Sequence, residues 1–383
     1  MENLSEILKI LDGALKANAS MAANYAGLLA DKLDESGERN QARQIRERLA
    51  RAPVALASAQ DAGRGVSFSN LPVDGESRLN TVDVTMPQIS DLTLVLPSAI
   101  RTRVNDFLLS VRHYDALVKA GAAMPSRLFV YGPPGTGKTQ LARWVAAELA
   151  LPLLTVRCDT LISSLLGQTS RNLRRVFEYA QQSPCVLFLD EFDALASARG
   201  NDRDVGELQR VVIALLQNMD ALPESTILLA ASNHENLLDP AVWRRFGFRL
   251  PMPMPNTSMR KVLWGKFLGD FAPPDLDWEL LTVRSADMSG ALIEQVCLDS
   301  KRFSVLAGSP VIDPDVLFRR LGLTLALNQG VLLSTDESEI RWLRKWDRKF
   351  FTLRTIAKLY DTSLRQITSI LKEDEKNGKD EEA

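Results

Sequence analysis

Leu128-Phe129-Val130-Tyr131-Gly132-Pro133-Pro134-Gly135-Thr136-Gly137-Lys138-Thr139 is the stretch that decides how this chain is read. Its first four residues form an apolar run of strand length. Leu141, Val145 and Leu149 then recur at helical spacing, which predicts a helix directly after the loop. Between strand and helix, Gly132 to Thr139 is a complete GxxxxGK[ST] pattern. Its glycines let successive backbone N–H groups wrap a triphosphate, and the helix N-terminus that follows adds the positive end of its dipole. In that geometry Lys138 reaches the β- and γ-phosphates and Thr139 holds Mg2+. ATP and Mg2+ are therefore the expected ligands, with Gly132, Pro133, Pro134, Gly135, Thr136, Gly137, Lys138 and Thr139 as the cradle.

Working outward, short apolar runs alternate with helical segments: Leu153-Leu154-Thr155-Val156, Val186-Leu187-Phe188-Leu189 and Ile227-Leu228-Leu229-Ala230. Strands separated by helices predict an α/β fold with a parallel sheet covered on both faces. The run at 186–189 ends in Asp190-Glu191. Ligands bind at the C-terminal ends of parallel strands, so two carboxylates there are well placed. Asp190 would orient Mg2+ and Glu191 would polarise the attacking water. Adjacent residues on a strand point to opposite faces, which would separate the two tasks. Asn233, after the run beginning at Ile227, is placed to fix that water. By itself an Asn after a strand reads equally as a turn former.

The order GPPGTGKT, VLFLDEFDAL, ILLAASN and LDPAVWRRFGFR resembles the AAA ATPases, in the branch that includes katanin, spastin and the FtsH protease. The resemblance covers about residues 90–330. It implies a P-loop nucleotide domain over 91–255, an all-helical lid over 256–330, and a homo-oligomeric, hexameric ring with ATP at subunit interfaces. Asn233 then matches the first sensor. Arg244 and Arg245 match the arginine-finger region, where a guanidinium reaches the γ-phosphate of a neighbouring subunit. Gly290 and Ala291, after Ser289, match the lid turn near adenine and ribose. Threading members carry an aromatic residue two positions before a glycine in a pore loop. Here Leu165 stands there, ahead of Gly167, which puts processive threading in doubt. No HExxH motif occurs, so no metalloprotease is fused within the chain.

Composition bounds the remainder. With 383 residues, 45% apolar and 25% charged, the chain is an ordinary globular protein of two or three domains. A net charge of -2 gives no global sign of nucleic-acid binding. No run is long enough to span a membrane. Three scattered cysteines point to the cytoplasm, and two histidines argue against a His-built metal site. Residues 1–52 predict a small helical unit with Leu4, Leu8, Leu11 and Leu15 at helical spacing, which reads equally as an element that binds a protein partner and as a packing or oligomerisation appendage. Residues 53–90 predict a linker with some extended structure at Val82, Val84 and Met86. After Pro97 a helix is expected to about Lys119.

Between Arg341 and Lys372, nine Lys and Arg stand against two acids. Leu353–Tyr360 and Leu364–Leu371 predict two short helices around Asp361-Thr362-Ser363. This segment, 331–372, resembles a helix-turn-helix: Ala357 and Ile367 fit its packing positions, and Asp361 stands where glycine is common. Arg365, Gln366 and Ser369 would face a groove of DNA. Residues 373–383 predict a disordered tail. The arrangement of parts also resembles the ATPases of bacterial two-gene antiviral defence pairs, whose partner is a separate subtilisin-like protease. Two functions follow as expectations: an ATP-hydrolysing ring that remodels or regulates a protein client or partner protease, and a DNA-associated ATPase that uses the C-terminal helices.

Overall fold

The computed structural model describes residues 3–15, 19–50, 81–156, 161, 168–196 and 205–380. The expected pore-loop residue Leu165 and most of the expected linker lie outside these. Two compact units divide the chain, Met1–Pro253 and Met254–Ala383.

In the first unit, six strands form one sheet: β1 (Val82–Thr85), β2 (Arg127–Tyr131), β3 (Leu153–Val156), β4 (Val186–Leu189), β5 (Ile227–Ser232) and β6 (Phe248–Pro251). Their spatial order is β1-β3-β4-β5-β2-β6, with β1 antiparallel to β3 and every other pair parallel. Two of these strands differ from the sequence reading. The alternation at Val82 and Val84 belongs to the sheet edge rather than to a linker. β6 gives almost no apolar signal because it is short and carries Arg249 on its exposed side.

The pleat sorts the strand residues between two cores. Phe129, Leu187, Leu189, Leu228 and Ala230 meet Leu173, Val176, Phe177, Leu215 and Met219 on one face. Leu128, Val130, Val186, Phe188, Leu229 and Ala231 meet Phe107, Leu141 and Val145 on the other. Strands buried on both sides read as continuous apolar runs, which is why the central four were legible. The helix expected from Pro97 to Lys119 is two, Ser98–Arg112 and Tyr114–Lys119, broken at His113.

The N-terminal helices Leu4–Leu15, Ala19–Glu35 and Arg39–Ala50 belong to the same unit. Asn24 donates to Ser183 Oγ at 2.6 Å, and the Ser5 N–H donates to Asp115 Oδ1 at 3.3 Å. The first helix turns three of its leucines outward. Glu6 and Lys9 are buried, with Glu6 paired to Lys32 at 2.6 Å, whereas Leu8, Leu11 and Leu15 are 51%, 51% and 76% exposed. A buried charge is tolerated only when paired, so Lys32 and the packed ring of Tyr25 beside Lys9 hold this orientation.

The second unit is all helical. Thr257–Leu268, Trp278–Arg284, Gly290–Leu306 and Pro314–Asn328 pack around Trp264, Leu281, Ile293, Phe318 and Leu321. Each of the four begins at a side-chain cap: Asn256, Asp277, Ser289 and Asp313 accept from the first-turn N–H groups. Asp336–Trp346, Leu353–Leu359 and Leu364–Asp380 follow. The last of these continues through residues 373–380, a stretch whose composition suggests disorder.

Candidate active site

Parallel register brings three loop starts to one edge of the sheet. Tyr131 pairs with Ser232, and Leu189 with Ala230, so Gly132, Asp190 and Asn233 all leave the C-terminal ends of adjacent strands. β5 lies between the phosphate-type loop and the carboxylates.

The loop is shaped by glycine. Gly132 has φ +146, and a Cβ built on it would lie 2.2 Å from the Met252 carbonyl oxygen. No side chain other than hydrogen fits. Gly135 and Gly137 also take positive φ, at 75 and 97. Gly137 is the N-cap of the helix Lys138–Glu148, and no side chain caps that end. The first N–H groups of a helix lack internal acceptors, so this terminus is suited to an anion. Lys138 is buried, and its ammonium donates to the Gly132 and Pro133 carbonyls at 2.8 and 2.9 Å. Burial pulls its pKa below the ordinary lysine value, opposed by the negative field of Asp190, Asp193 and Glu235. A phosphate oxygen is a stronger acceptor than either carbonyl, so the ammonium gains on ligand binding. Thr136 Oγ1 donates to the Pro133 carbonyl and tightens the turn.

Thr139 Oγ1 donates to Asp190 Oδ2 at 2.8 Å, joining the loop to the end of β4. A hydroxyl and a carboxylate oxygen are hard oxygen donors suited to Mg2+. Beyond Leu189 the chain is no longer extended. Glu191 has φ +50, and its N–H donates to Asp190 Oδ1 at 3.0 Å. Both residues lie beyond the end of β4 and the backbone turns left-handed at Glu191, so the alternation of a strand does not apply to the pair. Asp190 is tied into the loop, and Glu191 is exposed. A non-glycine residue at positive φ costs of order 1–3 kcal/mol, and such strain clusters at functional sites.

Asp193 and Ser232 were not singled out from sequence. Ser232 Oγ donates to Asp193 Oδ1 at 2.7 Å and accepts from the His234 N–H at 2.9 Å. This bridge fixes the turn carrying Glu191 to the start of the Asn233 loop. The available signal was an acid two residues after Glu191, one position past a buried Phe192. An aromatic cluster lies below. Phe129 meets Phe192, Trp243 and Phe246 at centroid distances of 6.1, 4.8 and 5.3 Å. It connects the strand before the phosphate loop, the turn after Glu191 and the arginine segment.

Arg244 and Arg245 are treated differently by the fold. Arg245 makes a two-pronged contact with Asp220 at 3.1 and 3.0 Å and donates to the Ala241 carbonyl. The hydrogen bonds it donates to Asp220 raise its pKa, and in return they hold the Asp220 carboxyl below its usual value. Arg244 is exposed, and its side chain makes no hydrogen bond or ion pair among the described residues. Gly290 and Ala291 open the helix Gly290–Leu306 behind the Ser289 cap, in the second unit.

A family model described as "ATPase family associated with various cellular activities (AAA)" matches residues 128–254, from β2 to just past β6. An uncharacterized AAA family ATPase, y4kL, of Sinorhizobium fredii is 37% identical over 277 residues, covering 72% of this chain and 82% of that protein. The chain belongs to the AAA family of ATPases. As an AAA ATPase it binds ATP and hydrolyses it. ATP-dependent zinc metalloproteases FtsH of Corynebacterium glutamicum and Mycobacterium tuberculosis are 35% and 31% identical over 222 and 279 residues. The matched part spans only 26% and 36% of those proteins. Among the described residues, no helix of this AAA ATPase is long and apolar enough to cross a membrane.

Proposed function

We propose that this AAA ATPase works as a ring of identical subunits that uses ATP turnover to remodel or regulate a protein partner. The observation that carries this reading is Arg244. It lies on a segment anchored through Trp243 and Phe246 to the strand that feeds the phosphate loop, yet it is exposed and its guanidinium has no partner among the described residues. An exposed guanidinium on so anchored a segment suits a γ-phosphate held by a neighbouring copy. Within each subunit Lys138 would bind the β- and γ-phosphates, and Thr139 and Asp190 would hold Mg2+. The metal would draw charge from the phosphates. Glu191 would take the proton of the attacking water, with Asn233 orienting that water. Arg245, committed to Asp220, would position the segment.

The outward leucines of the first helix support a protein-facing role for the N-terminal unit. The finer reading, in which the partner is a separate subtilisin-like protease, rests on the arrangement of parts and the resemblance above.

The test is Glu191→Gln purified with ATP. Sedimentation should give an ATP-dependent oligomer, and pull-down from the native cell should give a protein released by ADP and absent with Lys138→Ala. A variant that stays monomeric with ATP bound, while wild type hydrolyses at the same rate at all dilutions, overturns the ring.

A further inference from the structure

We propose that the helical triplet at the end of the second unit, Asp336–Trp346, Leu353–Leu359 and Leu364–Asp380, is a module that binds duplex DNA through its last helix and the basic residues that flank it. The reading starts from the turn. Leu353–Leu359 and Leu364–Asp380 are joined by Tyr360 to Ser363, and Asp361 within it has φ +46. This is the left-handed position that two helices crossing through a short turn demand, and for which glycine is the usual solution. Asp and Asn are among the few other residues that adopt it readily. The Thr362 N–H closes the turn on the Ala357 carbonyl at 3.0 Å.

Ile356 and Ile367, one from each helix, are fully buried, together with Ile340, Leu343 and Phe351. The first helix therefore supports the other two, as in a three-helix form of the helix-turn-helix. The triplet is held rigidly within the second unit. Phe350 packs on Phe318 at 4.2 Å between centroids, the Trp342 indole donates to the Gly322 carbonyl, and buried Asp347 pairs with Arg284 at 2.7 Å.

Charge then decides the ligand class. Of the nine basic residues between Arg341 and Lys372, three are used internally. Lys358 pairs with Asp313 and Asp315, Arg341 with Glu337 and the Ile370 carbonyl, and Arg344 with the Arg348 and Phe351 carbonyls. The other six, Lys345, Arg348, Lys349, Arg354, Arg365 and Lys372, are exposed and make no side-chain hydrogen bond or ion pair among the described residues. Asp361 is the single exposed acid in that stretch. A surface with six unpaired cations on a preorganised scaffold matches a row of phosphates.

Arg365, Ser369 and Lys372 recur at i, i+4 and i+7, so they share the outward face of the last helix, opposite Ile367. The N-terminal part of that helix is what a major groove admits. Gln366 is partly removed from this set, because its Oε1 accepts from the Ser363 N–H and hydroxyl in a reciprocal cap. Arg365 and Ser369 remain as the base-facing pair. Lys345, Arg348, Lys349 and Arg354 sit on the first helix end, the connecting turn and the second helix start. Those are the elements that run along the backbone when the last helix occupies the groove.

The experiment is fluorescence anisotropy with the full chain and a short labelled mixed-sequence duplex, titrated from about 50 to 200 mM salt. Wild type should bind at low salt and weaken steeply as salt rises. The log–log slope should fall by about 0.9 for each phosphate-facing charge removed in Lys345→Ala, Arg348→Ala and Lys349→Ala. Arg365→Ala should weaken binding about tenfold or more. All four variants should keep wild-type ATP turnover without DNA, which also reports folding. The proposal is overturned by no binding at about 50 mM salt from protein that hydrolyses ATP. It is equally overturned by binding that survives loss of all six cations, or by a single-stranded RNA of the same length binding more tightly than the duplex.

Discussion

Thr139 on the phosphate loop and Asp190 at the end of β4 are joined by a 2.8 Å hydrogen bond, although 51 residues separate them in the chain. Register places them side by side across β5, and the bond presents two oxygen donors to one point. Thr139→Val should leave the fold unchanged and raise the Mg2+ concentration needed for half-maximal ATP turnover several-fold. A Mg2+ titration of phosphate release checks it. An unaltered titration removes Thr139 and Asp190 as the metal's ligands.

Lys138→Ala should reduce turnover by about 10²- to 10³-fold, the scale for losing one preorganised donor to a charged reacting group. Among the described residues the buried ammonium's hydrogen-bond acceptors are two carbonyls, and burial offsets part of its attraction to Asp190, Asp193 and Glu235, so stability should barely change. Thermal unfolding and steady-state phosphate release separate the two effects.

Arg244→Ala should lower turnover by about 10³-fold or more while sparing ATP affinity, as expected for a group acting from a neighbouring copy. Mixing it with Lys138→Ala protein should restore part of the activity, because each supplies what the other lacks. Failure to complement would place Arg244 outside the site.

Arg245→Ala should behave as a positioning change. Its contact with Asp220 is half-exposed, so after screening it contributes at most about 1 kcal/mol. Asp220 has its folded pKa lowered by this contact, so the contribution is present above its ordinary carboxylate range and lost as pH falls through the folded value. Wild type and Arg245→Ala should therefore converge in thermal stability under acid conditions and diverge near neutrality.

Gly132→Ala should destabilise the first unit by about 2 kcal/mol or more, since the added methyl meets the Met252 carbonyl in a backbone conformation L residues avoid. Gly265→Ala is the contrasting case. It lies exposed inside the helix Thr257–Leu268 with nothing within 4 Å of the new methyl, and should stabilise by about 0.5–1 kcal/mol. Chemical denaturation of both variants gives the comparison.

The central strands and the loop Gly132–Thr139 were legible because burial on two faces and phosphate wrapping each impose a strict local pattern. β6 was not, because an edge strand of four residues needs little apolar sequence, and for β1 the extended run at Val82 and Val84 was legible but its pairing with β3 was not. Alternation was the expected ground for Asp190 and Glu191 to point apart, but alternation is a strand property and β4 ends at Leu189. The Asp193–Ser232 bridge needed two loops brought together by parallel register, which no local window contains. Which face of the first helix is buried was illegible for a related reason. Spacing identifies which residues share a face, but only Lys32, Tyr25 and the neighbouring surface decide which face is buried. The turn at Asp361 departs from the usual glycine, and the structure adopts the same backbone conformation with aspartate.

The contact between Gly132 and Met252 has a mechanical meaning. The Met252 N–H also donates to the Tyr131 carbonyl at 2.7 Å, so the tail of β6 lies directly against the first residue of the loop. Hydrogen as the only side chain lets these two stretches of backbone run in contact. Any larger residue at 132 would prise the edge strand away from the cradle it braces, so the loop's shape is borrowed in part from a strand more than a hundred residues further along the chain.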